Sequence, residues 1–254
     1  MSLQTALAAR AGSLVAHSSH AEGGRRVGRT VRVTTARAAA AARDGHDFTG
    51  LSSLRFGKPT PADMDGLMQQ WQGRQCNHEH AGASLSAPDL PAEVKSGGFM
   101  VTANRKKVGE GKATYDAAVK AVQSWRHLQL GWNCTTEPAQ KVGTVICSAT
   151  QTVVPWSVLP AQVTYCRDEA AAFGPGNKGR RFVLGLCSLN GHQLAGEERF
   201  CVELHADGSV FYDIFLFSKP DTLLAWASLP VVKLQQVRYV NDSLKAMEAA
   251  VKRA

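Results

Sequence analysis

The chain has 254 residues, 44% of them hydrophobic and 20% charged, which is enough for one well-buried domain. No apolar run approaches the roughly 20 residues of a membrane-spanning helix, so we expect a soluble protein without an integral membrane segment. The net charge of +8 is uneven, because residues 1–43 hold seven arginines and one acid and the remainder carries only +2. With no dense basic surface beyond that segment, we expect no nucleic-acid partner.

The first segment, residues 1–43, is rich in Ala, Ser, Thr and Arg and almost free of acids. This composition is typical of an organelle transit peptide, and the apolar core of a secretory signal is missing. A disordered basic arm that binds an acidic surface such as RNA is the alternative interpretation. We expect a transit peptide to the chloroplast, with the mitochondrion as the other destination.

Residues 44–97 are expected to form a linker and N-terminal extension with one short amphipathic helix over 61–71. From residue 98 to residue 254 the hydrophobic pattern becomes regular and predicts a single α+β domain. It contains a strand at 99–103, a helix over 112–129, five strands at 142–150, 161–167, 181–188, 197–205 and 209–217, and a terminal helix over 221–251. Pro230 should kink that helix or split it in two.

This order of elements predicts an antiparallel sheet that curves around the long C-terminal helix. The same plan is the helix-grip fold of START and Bet v 1 type lipid-binding proteins. An apolar pocket should then lie between the sheet and the helix, although a fold alone does not fix a function.

The six cysteines show no C-x-x-C spacing, so neither a zinc knuckle nor a thioredoxin-type site is expected. Several lie in apolar strand-like runs, where cysteine behaves as a small core residue. We therefore expect reduced, buried thiols.

The pair Asp207-Gly208 is the strongest turn signal and indicates a two-residue type I′ hairpin. This loop length would set Val202 opposite Asp213 and Phe200 opposite Phe215. One face of the hairpin would then be almost wholly apolar, with Asp213 in its middle. A carboxylate there needs a partner or a proton, so Asp213 is either a ligand anchor, a proton-transfer group or half of a structural ion pair.

The candidate partners of Asp213 are Arg167, Tyr165 and Arg126, between which the sequence does not choose. No catalytic residue is assigned. The residues predicted to line the pocket and bind a ligand are Asp213, Glu198, Tyr165, Phe200, Phe211 and Phe215.

Two motifs are rejected as cofactor sites. The run Gly174 to Gly179 matches G-x-G-x-x-G, but a strand follows it where a dinucleotide site needs a helix. Strand alternation sets Glu203 and His205 on one face and Glu198 on the other, and two ligands are too few for a metal. We expect neither a metal nor another cofactor.

Several short segments resemble the family called domain of unknown function 1990, which occurs in bacteria and plants. They are Phe56 to Pro59, Trp125-Arg126, Leu130 to Trp132, Val142 to Thr144, Gly191-His192, Gly196 to Phe200, Val202-Glu203, Asp207 to Val210, Tyr212 to Ile214 and Phe217 to Pro220. The resemblance runs from about Phe56 to Val251. It supports the single-domain interpretation and favours the chloroplast, but it brings no established reaction.

The chain departs from the family pattern in two places. Asn77-His78 stands where an Asn-Tyr pair is expected, and Leu186 to Ser188 stands where Tyr-Gly-Thr is expected. If those groups touch a ligand, its identity has changed here.

Three functions are compatible with these patterns. The first is a protein of the organelle interior that binds a small apolar ligand or lipid. The second is an enzyme that uses a carboxylate in the same cavity, with Asp213, Glu198 or Tyr165 moving a proton. The third is an assembly or scaffold protein, which would show a filled core and an exposed apolar patch.

Overall fold

The computed structural model describes residues 47–253, so the segment expected to be a transit peptide lies outside the described residues. Eight strands occur in this part of the chain: β1 (Leu54–Arg55), β2 (Met100–Glu110), β3 (Asn133–Thr135), β4 (Val145–Gln151), β5 (Trp156–Ala172), β6 (Lys178–Ser188), β7 (Leu194–Leu204) and β8 (Ser209–Pro220). The helices are α1 (Pro61–Gln70), α2 (Ala92–Ser96), α3 (Gly111–Gln123), α4 (Leu223–Ala227) and α5 (Leu229–Lys252).

Seven strands form one antiparallel sheet in the order β2-β8-β7-β6-β5-β4-β3, and the short β1 pairs with the start of β5. The inward side chains of the sheet pack against α3 and α5 in the largest core cluster. Val240, Leu244 and Met247 are the α5 residues buried there. The predicted α+β helix-grip fold, a curved sheet on a long terminal helix, is thus confirmed.

The helical predictions are largely confirmed, with one marked difference at a helix end. The terminal helix is split as expected, and Pro230 occupies the first turn of α5, where its missing N–H costs nothing. Helix α3 ends at Gln123, earlier than predicted, because Trp125 adopts a left-handed conformation with φ of 57°. A single 3₁₀ turn, Arg126–Leu128, follows it.

The outer face of the sheet is covered by the extension, whose described part is folded and packed. Met64 and Trp71 lie on the outward side chains of β4 and β5. Further along the extension, Leu90 and Val94 pack on Phe215 and Phe217 of β8. Because both faces of the sheet are covered, alternate residues of its strands enter two separate cores.

The predicted register of the β7–β8 hairpin is wrong by one residue. Leu204 pairs with Val210, and Cys201, not Val202, pairs with Asp213. The amide of Gly208 donates to the His205 carbonyl at 3.0 Å, and Gly208, with φ of 84°, is the one left-handed residue of a three-residue loop. A type I turn followed by a left-handed glycine makes the loop one residue longer than the predicted loop. Each side chain of β8 therefore lies on the opposite face of the sheet from the predicted one.

The expectation of reduced thiols is wrong for one pair, because Cys76 and Cys187 form a disulfide. A β-bridge between Cys76 and Leu189 holds the extension beside β6, with the two cysteine Cα atoms 6.3 Å apart. The other four cysteines, Cys134, Cys147, Cys166 and Cys201, are free.

Candidate functional site

A cavity of about 250 Å³ lies between the concave face of the sheet and the start of the terminal helices. Its floor comes from β4 to β8, and its roof comes from α4 and the first turns of α5. The apolar side chains of its wall include Leu54, Trp132, Leu159, Ala161, Leu186, Leu194, Leu216, Leu224 and Val232. The surface of the wall is therefore mostly apolar, although more than half of the lining residues, mainly serines, threonines and glutamines, carry polar side chains.

Glu198 is the acidic side chain that β7 directs into the cavity. The hydroxyl of Tyr239, on α5, donates a hydrogen bond of 3.0 Å to Glu198 Oε2. Burial raises the pKa of Glu198 to about 7, and this hydrogen bond opposes the shift only in part. The carboxyl group therefore changes protonation near neutral pH, and it does so beside a second polar group.

His192, in the turn between β6 and β7, brings a ring nitrogen to the same wall. Its Nδ1 accepts a hydrogen bond of 2.9 Å from the Leu194 amide, which places the proton of the neutral ring on Nε2. Burial lowers the pKa of His192 to about 4, so the ring is neutral at physiological pH.

Two glutamines tie the roof of the cavity to its floor. Gln235 Nε2 donates to the Gln151 carbonyl at 2.7 Å, and Gln236 Nε2 donates to Ser218 Oγ at 2.6 Å. These bonds fix the first turns of α5 over the sheet, which keeps Tyr239 next to Glu198.

Of the six predicted ligand-binding residues, Glu198 alone lines this cavity. Phe200, the next inward residue of β7, is fully buried in the core below α3. The other four, Tyr165, Phe211, Asp213 and Phe215, are on the outer face, because the register shift reverses β8 and a bulge between Val163 and Tyr165 reverses β5.

Asp213 forms an ion pair on the outer face of the sheet. Arg199 Nη2 donates to Asp213 Oδ2 at 2.6 Å, and Arg199 Nη1 donates to the Ala87 carbonyl of the extension at 3.2 Å. Burial raises the pKa of Asp213, and the nearby Arg199 opposes that rise. The partner is thus Arg199, and none of the predicted partners Arg167, Tyr165 and Arg126 fills that place.

The neighbouring carboxylate, Glu197, is a residue that sequence reasoning missed. It is buried on the outer face and accepts hydrogen bonds from the amides of Gly82 and Ser84, at 2.5 and 2.9 Å, and from Ser84 Oγ. Ser84 Oγ also lies 2.6 Å from the hydroxyl of Tyr165. Glu197 and Tyr165 therefore anchor the extension to the sheet, on the side away from the cavity.

Within residues 47–253, no three His, Cys, Asp or Glu side chains are grouped closely enough to hold a metal ion. Glu203 and His205 share a face as predicted, 2.9 Å apart, and Arg105 bonds to both. The Gly174 to Gly179 run covers the β5–β6 turn and the first two residues of strand β6. No helix of the described chain is long and apolar enough to cross a membrane.

The fold and the cavity define a helix-grip domain with an internal, mostly apolar site. The chain belongs to the family described as domain of unknown function (DUF1990), whose model matches residues 79–246. A UPF0548 protein of Arabidopsis thaliana is 32% identical over 200 residues, which cover 76% of this chain and 95% of that protein.

Two solved structures show weaker similarity. The hypothetical protein jhp0584 of Helicobacter pylori matches 63% of this chain and 94% of its own at 13% identity, with a TM-score of 0.40. The structure of Ara h 8.0201 matches 62% of this chain and 100% of its own at 15% identity, with a TM-score of 0.35. Both scores are low, and the helix-grip fold is assigned from the strand order and terminal helix of the chain itself.

Proposed function

We propose that this protein binds a small apolar molecule or lipid in the cavity between α5 and the sheet, inside a chloroplast or mitochondrion. The observation that carries the proposal is the Glu198–Tyr239 pair on an otherwise mostly apolar wall. Ligand sites in proteins combine an apolar lining with a small number of placed polar groups. Glu198 and Tyr239 would hold one polar end of the ligand while its apolar body fills the cavity.

The charge of the site favours a ligand without a strong negative charge. An anionic headgroup would meet Glu198, which is charged above its pKa of about 7, and no charged lysine or arginine lines the cavity. Below that pH the protonated carboxyl group donates one hydrogen bond and accepts another, as a hydroxyl or amide group requires. The proposed ligand is thus a neutral amphipathic molecule.

Native mass spectrometry, with lipid extraction, of protein purified from its own cells would identify such a ligand. In parallel, the neutral fluorescent probe N-phenyl-1-naphthylamine reports apolar binding in vitro. Ala161→Phe, which fills the cavity, should abolish binding of the probe. Ala172→Phe places the same side chain on an exposed part of the same strand and should leave probe binding unchanged. Equal binding by both variants would contradict the proposal.

An enzyme is the second candidate, and the same carboxyl group favours it. A group with a pKa of about 7 is suited to proton transfer at neutral pH, and Tyr239 lies within hydrogen-bond reach of it. Incubating the extracted ligand with fresh protein separates the two functions. A binder returns the ligand unchanged, whereas an enzyme converts it, and Glu198→Gln would stop the conversion.

A further inference from the structure

Exposed apolar side chains occur in the same segments as residues that line the cavity. On the helical side, Trp226 of α4 is 60% exposed and Leu234 of α5 is 73% exposed. On the sheet side, Val153 and Val154 in the β4–β5 turn are 83% and 66% exposed. These four residues, together with Leu223 and Phe56, form what we call the rim patch.

The rim patch alternates along the chain with residues of the cavity wall. Leu224, Ser228 and Val232 line the cavity between the exposed positions of α4 and α5. In the β4–β5 turn, Thr152 and Pro155 line the cavity on either side of the two exposed valines. Gln235, beside Leu234, bonds to Gln151 at the base of that turn, so the two sides are neighbours in space.

The extension completes the rim on a third side. The Leu223 amide donates to the Phe48 carbonyl at 2.9 Å, which joins α4 to the start of the described chain. Leu54 of β1 lines the cavity, and Phe56, two residues later, is almost fully exposed.

Basic residues are in excess around the rim patch. The segments 48–60, 151–166 and 222–241, which supply the rim, contain the four basic residues Arg55, Lys58, Lys233 and Arg238. They contain no acidic residue, although Asp47, Asp221 and Asp242 border them, and Asp242 pairs with Arg238 at 3.5 Å. Apolar residues with a tryptophan, bordered by basic side chains, are the composition that binds the interface of an anionic bilayer.

We propose that the rim patch docks onto the surface of a membrane that contains anionic lipids, with the opening of the cavity against the bilayer. Trp226, Leu234 and the two valines would enter the boundary between headgroups and acyl chains, and the lysines and arginines would meet the phosphates. The idea that a ligand then passes from the bilayer into the cavity rests on the proposed function, but the docking itself does not.

Tryptophan fluorescence tests the docking directly. All five tryptophans of the chain are described, and Trp226 is the exposed one, since Trp71, Trp125, Trp132 and Trp156 are buried. Vesicles of phosphatidylcholine and phosphatidylglycerol with brominated acyl chains should quench and blue-shift the emission of the full-length protein. Trp226→Phe should remove most of that response, because phenylalanine can still insert but does not report.

A matched pair of variants separates the rim patch from other contacts. Leu234→Ser should weaken vesicle binding about tenfold, whereas Val142→Ser, at a similarly exposed site away from the cavity, should not change it. Both variants keep the basic segment 1–43, so its attraction to anionic lipid is the same in each. Raising the salt concentration screens that attraction and should enlarge the difference between the variants.

Three results would overturn the docking proposal. The first is that the fluorescence of Trp226 is not quenched when the protein is bound to vesicles, and the second is that the two serine variants bind vesicles equally well. The third is that Trp226 emits at the short wavelength of a buried tryptophan before lipid is added. The last result, or a dimer that Leu234→Ser dissociates, would assign the rim patch to another protein surface. Ala161→Phe should still dock, so loss of probe binding and loss of docking are distinguishable failures.

Discussion

Glu197 and Glu198 are adjacent on β7, yet strand alternation gives their carboxyl groups opposite environments. Glu197 accepts three hydrogen bonds from Gly82 and Ser84 and holds the extension on the outer face. Glu198 faces the cavity with Tyr239 as its hydrogen-bond partner. A carboxylate that accepts several hydrogen bonds from the protein has a structural role. A carboxylate that accepts one hydrogen bond and faces a cavity can still bind a ligand.

The raised pKa of Glu198 predicts a pH-dependent change in stability. Because the folded-state pKa is about 7 and the ordinary value is 4.5, the folded chain holds a proton that the unfolded chain loses between these values. Glu198 therefore destabilises the fold increasingly as the pH rises from 4.5 to 7. Glu198→Gln should match the parent below this range and be about 3 kcal/mol more stable above it.

Urea unfolding of parent and variant at both ends of this pH range measures that difference. Taking the difference cancels His192, whose buried ring also titrates in acid. A constant gap between the two proteins at every pH would show that folding does not raise the pKa of Glu198.

The Asp213–Arg199 pair predicts a loss of stability without a loss of binding. Asp213→Asn removes the carboxylate beside Arg199, which is only 4% exposed, and an unpaired buried charge costs about 3 kcal/mol. Asp168→Asn, at the exposed pair with Arg180, should cost less than about 1 kcal/mol. Chemical denaturation and probe binding should show the first variant less stable and equally able to bind. Lost binding in a folded Asp213→Asn protein would contradict this assignment.

At the scale of elements, the extension from Asp47 to Gly97 is the part of the described chain that fixes the outer face. It is held by the bonds to Glu197, by the cores under α1 and α2, and by the Cys76–Cys187 disulfide. Removing one attachment should therefore weaken the extension and leave most of the cavity wall in place, because Leu54 is the residue of the extension that lines the cavity.

The disulfide gives the element-scale prediction. Cys76 and Cys187 are 111 residues apart, so the bond closes a long loop and lowers the entropy of the unfolded chain. Cys76→Ser should reduce the free energy of unfolding by about 3 kcal/mol under oxidising conditions. In reductant the variant and the parent should be equally stable. A non-reduced digest without the linked peptide would show that the two thiols are free.

For the whole molecule, the charge distribution predicts that the N-terminal segment is dispensable for folding. Residues 1–43 carry most of the net charge and almost no acids, which suits import better than packing in a core. A chain that begins at Asp44 should melt at the same temperature as the full-length protein. A fall of several degrees would show that the segment packs on the domain and would end the transit-peptide proposal.

Localisation provides the matching test in cells. A fusion of residues 1–43 to a fluorescent protein should enter the chloroplast in a plant cell, and the protein that begins at Asp44 should stay outside. Import into mitochondria alone would select the alternative destination.

The sequence by itself determined most elements and the order in which they pack. Apolar residues at steps of three and four predicted α1 and α3, and Pro230 predicted the break between α4 and α5, because these signals are local. Strand order and the long terminal helix were enough to predict the helix-grip plan. The alternation of β7 gave Glu198 and Phe200 the same face, as the structure confirms.

Only the tertiary structure decided which groups meet. The β8 face depended on one extra loop residue at Gly208, a difference that Asp207-Gly208 does not reveal because the pair fits both turns. The hydrogen bond between Glu198 and Tyr239 joins residues that are 41 positions apart in the sequence. Arg199 and Ala87, which are also hydrogen-bonded, are 112 positions apart. Periodicity records which face a side chain occupies, whereas partners across the fold depend on how elements pack, and no local pattern encodes that.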